Sequence, residues 1–189
     1  MTGEIPFAPL SGIAPRFVDA NGLRFAYLEQ GRGPLVLLLH GFPDTPYTWD
    51  RTMHELALVG YRVVAPFMRG YYPTEIAGPY DTDTLGRDAL ALVESLGERS
   101  AIVVGHDWGA SAAYAAAALG PDRVRLLVTL AIPHPRAIKP TPAMLWNLRA
   151  FFQLGRKRTN ERIRAGNFAY IDQLIRQPPI ATWPGCSPG

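Results

Sequence analysis

The spacing of hydrophobic residues changes several times between residues 17 and 132. Residues 35–39 form a continuous apolar run, which is typical of a strand buried on both faces. Residues 47–58, 83–96 and 110–119 place apolar side chains at helical spacing. Together with shorter β-branched and aromatic runs, the pattern predicts six strands, at 17–19, 23–29, 35–39, 61–66, 101–104 and 124–132. Strands that alternate with helices indicate an α/β fold with a doubly wound, mostly parallel sheet, in which the last four strands run parallel.

This alternation stops after residue 132. Four prolines fall between residues 133 and 142, and the two helical stretches that follow are not succeeded by a strand. Residues 177–189 contain four more prolines and have no periodicity, which predicts irregular structure. We therefore divide the chain into a core at 1–132, the start of a helical segment at 133–176 and an irregular tail at 177–189.

Composition and charge narrow the functional classes. With 48% hydrophobic and 19% charged residues, the chain resembles a soluble globular protein. Its net charge of +3 is uneven, because residues 136–189 carry nine basic and two acidic side chains. No nucleic-acid motif accompanies this basic segment, so we interpret it as a solvated helix face and expect no nucleic-acid partner. No apolar run reaches membrane-spanning length and no signal peptide is evident, so we expect no membrane association and a cytoplasmic location.

The segment Gly105-His106-Asp107-Trp108-Gly109 lies where a predicted strand passes into an alanine-rich helix. Glycines on either side of a central reactive residue are typical of a nucleophile elbow, a turn so tight that the central residue adopts a strained backbone conformation. Asp107 is that central residue, and we expect it to have a positive φ. The alternative is that the Asp107 carboxylate only caps the following helix, because aspartate is a favoured N-cap residue.

A second motif, His40-Gly41-Phe42-Pro43, directly follows the apolar run at 35–39. With HGFP followed by GHDWGA, the sequence resembles the α/β-hydrolase superfamily, and most closely its epoxide hydrolase and dehalogenase branch. The resemblance covers roughly residues 17–176 and includes a loop at 69–74. Phe67 and Tyr72 depart from the pattern of that loop, since an aspartate and a glycine are common at these positions.

The resemblance implies an α/β-hydrolase fold in which 133–176 begins a helical cap. It implies that Asp107 attacks a small apolar epoxide to form an ester, and that the N–H groups of Phe42 and Trp108 form the oxyanion hole. Trp108 and Tyr170 are candidate substrate contacts. Tyr170 could protonate the epoxide oxygen, although simple helix packing is the better explanation for a tyrosine there. No cofactor and no metal are expected, because the four histidines are scattered along the chain.

In this fold the triad acid and histidine follow the nucleophile in the chain. After Asp107 the carboxylates are Asp122, Glu161 and Asp172, and the histidine is His134. None has the position that the family requires, so we expect the C-terminal strands, the acid and the base to be missing, as in a chain truncated within its cap. Ester formation at Asp107 is then possible, and its hydrolysis is expected to stall.

Two alternatives stay open. One is a dehalogenase of the same fold, which Phe42 disfavours because haloalkane enzymes often carry a polar residue at this position to bind halide. The other is a non-catalytic protein that keeps the hydrolase half-fold. The substrate's identity and the oligomeric state are not determined by the sequence.

Overall fold

A single six-stranded sheet organises residues 14–137, the part of the chain that the computed structural model describes. The strands are β1 (Arg16–Ala20), β2 (Leu23–Gln30), β3 (Leu35–Leu39), β4 (Arg62–Pro66), β5 (Ala101–His106) and β6 (Val124–Leu130). Their order in the sheet is β1-β2-β4-β3-β5-β6. Strands β1 and β2 pair antiparallel to their neighbours, whereas β4, β3, β5 and β6 are mutually parallel. The predicted fold class and the four parallel strands are therefore confirmed.

Helices cover both faces of the sheet. On one face lies α1 (Asp50–Leu58), which continues a short 3-10 helix at Pro46–Trp49, and on the other lie α2 (Thr82–Ser95) and α3 (Trp108–Leu119). The three predicted helices are thus present. The helix predicted from residue 110 begins two residues earlier, at Trp108, because the turn that precedes it is a single residue, Asp107.

Strand β3 is buried on both faces, as its unbroken apolar sequence predicts. Leu37 and Leu39 belong to the hydrophobic cluster that includes α2 and α3, whereas Val36 and Leu38 belong to the cluster that includes Met53 of α1. Alternate side chains of β3 therefore pack into the hydrophobic clusters on opposite faces of the sheet, because successive side chains of a strand point to opposite faces. The central position of β3 places its carboxyl end, and the His40-Gly41-Phe42 segment after it, in the middle of one sheet edge.

Close packing between α2 and α3 fixes the position of α3 on the sheet. Gly86 in α2 faces Ala115 in α3, and a Cβ added at Gly86 would lie 2.6 Å from the Ala115 Cβ. Short side chains such as Ala112 and Ala116 line the rest of the buried face of α3. This close contact holds the N-terminus of α3 against the carboxyl ends of β3 and β5.

The segment between β4 and α2 is anchored by a buried ion pair. Arg69 and Asp88 are 6% and 4% exposed, and two hydrogen bonds of 2.7 Å join the guanidinium to the carboxylate. Asn21 donates a further bond of 2.6 Å to Asp88, and Arg69 donates to the Ala77 carbonyl at 3.1 Å. The Thr74 hydroxyl donates to the Phe67 carbonyl at 2.6 Å. These bonds give a long irregular segment a fixed path past the carboxyl edge of the sheet.

The sixth strand is shorter than the sequence predicts. It ends at Leu130 rather than at residue 132, because Ala131 adopts a φ of 69° and turns the chain out of the sheet. Strand β6 lies at the end of the described sheet, and Leu126, Val128 and Leu130 on its face are 40–53% exposed.

The described residues belong to the compact unit Met1–Ala137. The predicted cap at 133–176, apart from its first five residues, and the predicted tail at 177–189 lie outside the described residues. None of the helices between residues 14 and 137 combines the length and the hydropathy that a bilayer crossing requires. Over the same range, no group of three or more metal-ligating side chains comes together.

Candidate active site

Asp107 lies at the sharp turn between the end of β5 and the start of α3. Its backbone has φ 52° and ψ −118°, a conformation that residues with a side chain rarely adopt. Such strain persists only where the surrounding structure imposes it, and it is concentrated at functional sites. The predicted positive φ at Asp107 is confirmed.

The Asp107 carboxylate does not cap α3. The N–H groups of Ala110 and Ser111 donate to the Asp107 backbone carbonyl, at 2.9 and 3.2 Å, and no side-chain cap bond is made. The interpretation of Asp107 as a simple helix cap is therefore wrong. Its carboxylate is free for another role.

The partner of the carboxylate comes from the loop after β3. The Phe42 N–H donates to Asp107 Oδ1 at 2.9 Å, across 65 residues of sequence. Both residues follow parallel neighbouring strands, so their meeting at the carboxyl edge of the sheet is the arrangement that the sequence predicts. This edge is the usual ligand-binding side of an open α/β sheet.

Three glycines allow the two segments to approach so closely. A Cβ at Gly41 would lie 2.4 Å from the Asp107 Cβ and 2.6 Å from its Oδ1. A Cβ at Gly109 would meet the Leu39 carbonyl oxygen at 2.1 Å, and one at Gly105 would meet the Gly109 carbonyl oxygen at 2.2 Å. A side chain at Gly41 or Gly109 would push the elbow away from the end of β3, and one at Gly105 would push the start of α3 away from β5.

His40 is fully buried behind the loop and has two defined partners. The Gly41 carbonyl lies 3.0 Å from Nδ1 and can only accept, whereas the Met68 N–H lies 3.2 Å from Nε2 and can only donate. These partners assign the neutral tautomer with the proton on Nδ1. Burial lowers the pKa of His40, against the opposing effects of the Gly41 bond and the Asp44 charge. His40 therefore supports the loop that follows β3.

Tyr71 contacts the same loop, next to the His40 ring. Its hydroxyl donates to the Gly41 carbonyl at 3.4 Å, and its ring meets the His40 ring edge-on at a centroid distance of 4.5 Å. Burial, followed by the charges of Asp107 and Asp44, raises the pKa of Tyr71 to about 12. The phenol is therefore protonated at neutral pH and serves as a donor close to the carboxylate.

The remaining predicted site residues are placed as follows. Trp108 and Phe42 are 44% and 38% exposed; Trp108 follows Asp107 directly in the chain, and the Phe42 N–H donates to Asp107 Oδ1. Trp108 is the first residue of α3, so its N–H has no acceptor within the helix. Tyr170, the second candidate substrate contact, lies outside the described residues. The functional roles of Asp107, Phe42, Trp108 and Tyr170 stay predictions.

Asp122 lies at the opposite end of α3 from Asp107, and His134 contacts other groups. Asp122 follows the C-terminal end of α3 whereas Asp107 precedes its N-terminus, and twelve helical residues span about 18 Å. The His134 ring packs edge-on against Tyr114 at 5.1 Å, and its Nδ1 accepts the Arg136 N–H at 3.2 Å. His134 is thus engaged within the segment that follows β6.

Sequence reasoning missed the contributions of Tyr71 and of the Arg69–Asp88 pair. The 69–74 stretch is identifiable as a family-like loop, but the partners of its side chains lie 19 to 30 residues away. Phe67 and Tyr72, the two departures from the family pattern, have different environments. Phe67 is fully buried with its ring 5.8 Å from that of Tyr47, whereas Tyr72 is 76% exposed.

A sequence model of the α/β-hydrolase fold matches residues 34–168, which is most of the chain. The chain belongs to the α/β-hydrolase family. Among curated relatives, this hydrolase chain is 43% identical to an epoxide hydrolase of Caballeronia sordidicola over 137 residues, which cover 70% of the chain and 40% of that protein. It is 41% identical to epoxide hydrolase A of Mycobacterium tuberculosis, and the match covers 68% of the chain and 42% of that protein. It is 38% identical to the AB hydrolase superfamily protein YfhM of Bacillus subtilis, and the match covers 69% of the chain and 47% of that protein.

Comparison with solved structures also finds epoxide hydrolases similar to this hydrolase chain. A mutant epoxide hydrolase of Vigna radiata superposes with a TM-score of 0.74 at 31% identity, covering 88% of the chain and 55% of that structure. Another Vigna radiata epoxide hydrolase superposes with a TM-score of 0.70 at 33% identity, and the match covers 90% of the chain and 60% of that structure. The predicted resemblance to the epoxide hydrolase and dehalogenase branch is therefore confirmed by the similarity to epoxide hydrolases. The chain spans less than half the length of these curated relatives.

Proposed function

We propose that this chain carries the nucleophilic half of an epoxide-hydrolase-like active site, with Asp107 as the nucleophile and a small apolar epoxide as the substrate. The observation that carries the proposal is the strained Asp107, whose carboxylate does not cap α3 and accepts a hydrogen bond from the Phe42 N–H. The similarity to epoxide hydrolases supports the choice of substrate class.

The two carboxylate oxygens of Asp107 have different roles in this mechanism. Oδ1 accepts the Phe42 N–H bond, so Oδ2 is the oxygen that attacks the epoxide carbon. The ring C–O bond breaks, its electron pair passes to the epoxide oxygen, and that oxygen takes a proton from solvent or from an acidic group such as the Tyr170 hydroxyl. The product is a hydroxyalkyl ester of Asp107.

Hydrolysis of the ester would use the oxyanion hole. Water attacks the Asp107 carboxyl carbon, and negative charge develops on Oδ1, where the Phe42 N–H already lies within hydrogen-bonding distance. The N–H of Trp108, which lacks a helical acceptor, is the proposed second donor. The bond between the carboxyl carbon and the ester oxygen Oδ2 then breaks, the leaving alkoxide takes up a proton in place of the one that the attacking water releases to solvent, and the diol leaves with Oδ2. Removal of a positioned base slows such a step by about 10²–10⁴-fold.

The two open alternatives, a dehalogenase and a non-catalytic protein, predict different products at Asp107. A dehalogenase would form an alkyl ester with loss of halide, and a non-catalytic hydrolase-fold protein would form no ester. Phe42 is exposed, and its side chain is apolar and cannot donate to a halide, which favours the epoxide.

Intact-protein mass spectrometry tests the proposal. We expect the chain to gain the mass of one styrene oxide molecule, and Asp107→Asn to gain none. Asp44→Asn is the matched control, because it removes a carboxylate whose charge also reaches Tyr71 but keeps the nucleophile. Equal labelling of Asp107→Asn and the unaltered chain would contradict the proposal. Labelling by a primary alkyl chloride but not by the epoxide would favour the dehalogenase.

A further inference from the structure

The peptide group between Gly41 and Phe42 connects two features of the site. Its N–H is the donor that contacts Asp107 Oδ1 at 2.9 Å, and its carbonyl is the acceptor for His40 and Tyr71. Because a trans peptide is planar, its N–H and C=O point in opposite directions. Any group that fixes the direction of the Gly41 carbonyl therefore also fixes the direction of the Phe42 N–H.

We infer that Tyr71 is a positioning residue that aims the Phe42 N–H at Asp107 by holding the Gly41 carbonyl and the His40 ring on the opposite side of the peptide. The functional meaning of this inference rests on the proposed function, in which that N–H stabilises the oxyanion. Tyr71 itself need not touch the substrate.

Two contacts of Tyr71 carry the inference. Its hydroxyl reaches the Gly41 carbonyl at 3.4 Å, a long and therefore weak hydrogen bond. Its ring edge packs on His40 at 4.5 Å, and His40 makes the shorter bond of 3.0 Å to the same carbonyl. Tyr71 thus acts on the peptide directly through its hydroxyl and indirectly through the orientation of His40.

Tyr71 is itself firmly held. Its N–H donates to the Met68 carbonyl at 2.9 Å, and its carbonyl accepts the Thr74 N–H at 3.0 Å. Thr74 is buried and its hydroxyl accepts the Ala26 N–H of β2 at 3.0 Å. These bonds connect Tyr71 to the sheet, and Tyr71 in turn contacts the loop that follows β3.

The test is amide hydrogen exchange at Phe42, followed by nuclear magnetic resonance on the whole labelled chain. Tyr71→Phe removes only the hydroxyl and should accelerate Phe42 exchange about twofold, whereas Tyr71→Leu also removes the ring contact with His40 and should accelerate it about tenfold. These factors correspond to about 0.4 and about 1.4 kcal/mol, the size expected for the loss of one weak hydrogen bond and for the loss of that bond together with the ring contact. The Leu37 amide in the centre of the sheet reports global opening and should keep its rate.

Tyr72 supplies the matched controls, because it adjoins Tyr71 and its side chain is 76% exposed. Tyr72→Phe and Tyr72→Leu should leave Phe42 exchange unchanged. Unchanged Phe42 exchange in Tyr71→Leu would overturn the inference, and so would equal acceleration at Phe42 and Leu37, which indicates general destabilisation. The experiment needs no epoxide, so its outcome is independent of whether Asp107 is alkylated.

Discussion

At the scale of single residues, the site depends on how closely two chain segments approach. Asp107 and Phe42 are both identifiable from sequence, since each follows an apolar run that ends in a glycine-containing motif. Their contact could be predicted because the carboxyl ends of parallel strands share one edge of the sheet. The direction of the carboxylate could not, because an aspartate at a helix start is also a common cap. Only the backbone angles and the hydrogen-bond partners decide between these roles.

Substitution of Gly41 by alanine tests this close approach. The added Cβ would lie 2.4 Å from the Asp107 Cβ, so the loop or the elbow must move. We expect Gly41→Ala to destabilise the fold by about 1–3 kcal/mol, the usual effect of overpacking, and to abolish labelling of Asp107 by epoxide. Urea unfolding and intact mass measure the two effects. Gly78→Ala is the control, because its nearest contact, the Tyr80 ring at 3.4 Å, is an ordinary one; matching effects of the two substitutions would contradict the account.

Because His40 is buried, the free energy of unfolding should depend on pH in a predictable direction. Burial lowers its pKa below the ordinary 6.5, so the unfolded chain binds a proton more readily than the folded chain. Its stabilising contribution is complete above about pH 6.5 and is lost as the pH falls through the lower pKa of the folded state. The free energy of unfolding should decrease over this window by at most about 1.4 kcal/mol per pH unit.

Urea unfolding between pH 5 and pH 8 measures this dependence. His40→Asn should be less stable than the unaltered chain at pH 7.5 and should show a flatter profile below pH 6.5. The exposed His54 on α1 is the control, and His54→Asn should keep the original profile. A profile for His40→Asn that runs parallel to that of the unaltered chain would show that His40 does not titrate in this way.

At the scale of elements, periodicity predicts the strands and helices well and their ends less well. Strand β6 is predicted to residue 132 because Ala131 and Ile132 are apolar, but the positive φ of Ala131 ends the strand at Leu130. The buried pair of Arg69 and Asp88 is invisible to periodicity. One partner lies in an irregular segment and the other on α2, and hydrophobic spacing contains no information about which charged groups meet.

Neutralisation of Asp88 tests whether this pair holds the segment before α2 in place. Asp88→Asn leaves the Arg69 guanidinium buried without its counterion, so we expect a loss of about 3–5 kcal/mol in the free energy of unfolding. Glu94→Gln is the control, because Glu94 pairs with Arg123 on the surface, where ion pairs contribute little. Urea unfolding compares the two. An equally small change in both variants would mean that the buried pair does not stabilise the fold.

At the scale of the whole molecule, residues 14–137 bring together the proposed nucleophile, the proposed oxyanion donor and the groups that we infer to orient that donor. The alternation of strands and helices along the chain, the parallel direction of the last four strands and the two-sided arrangement of helices follow from the sequence pattern, because such alternation favours a parallel sheet covered on both faces. The spatial order of the strands does not follow from it. The chain covers 40–47% of the length of its curated relatives. The proposed function therefore concerns the formation of the ester at Asp107, which requires only groups that the described residues supply, together with a proton from solvent.

The measurement that tests this account most directly is the location of the covalent adduct. After incubation with styrene oxide, trypsin should release a peptide of residues 100–123 that carries the mass of one epoxide molecule, and fragmentation should place that mass on Asp107. The predicted result is modification of Asp107 in the unaltered chain and an unmodified peptide from Asp107→Asn. An adduct located on His106, Cys186 or another nucleophile, with Asp107 unmodified, would contradict the account.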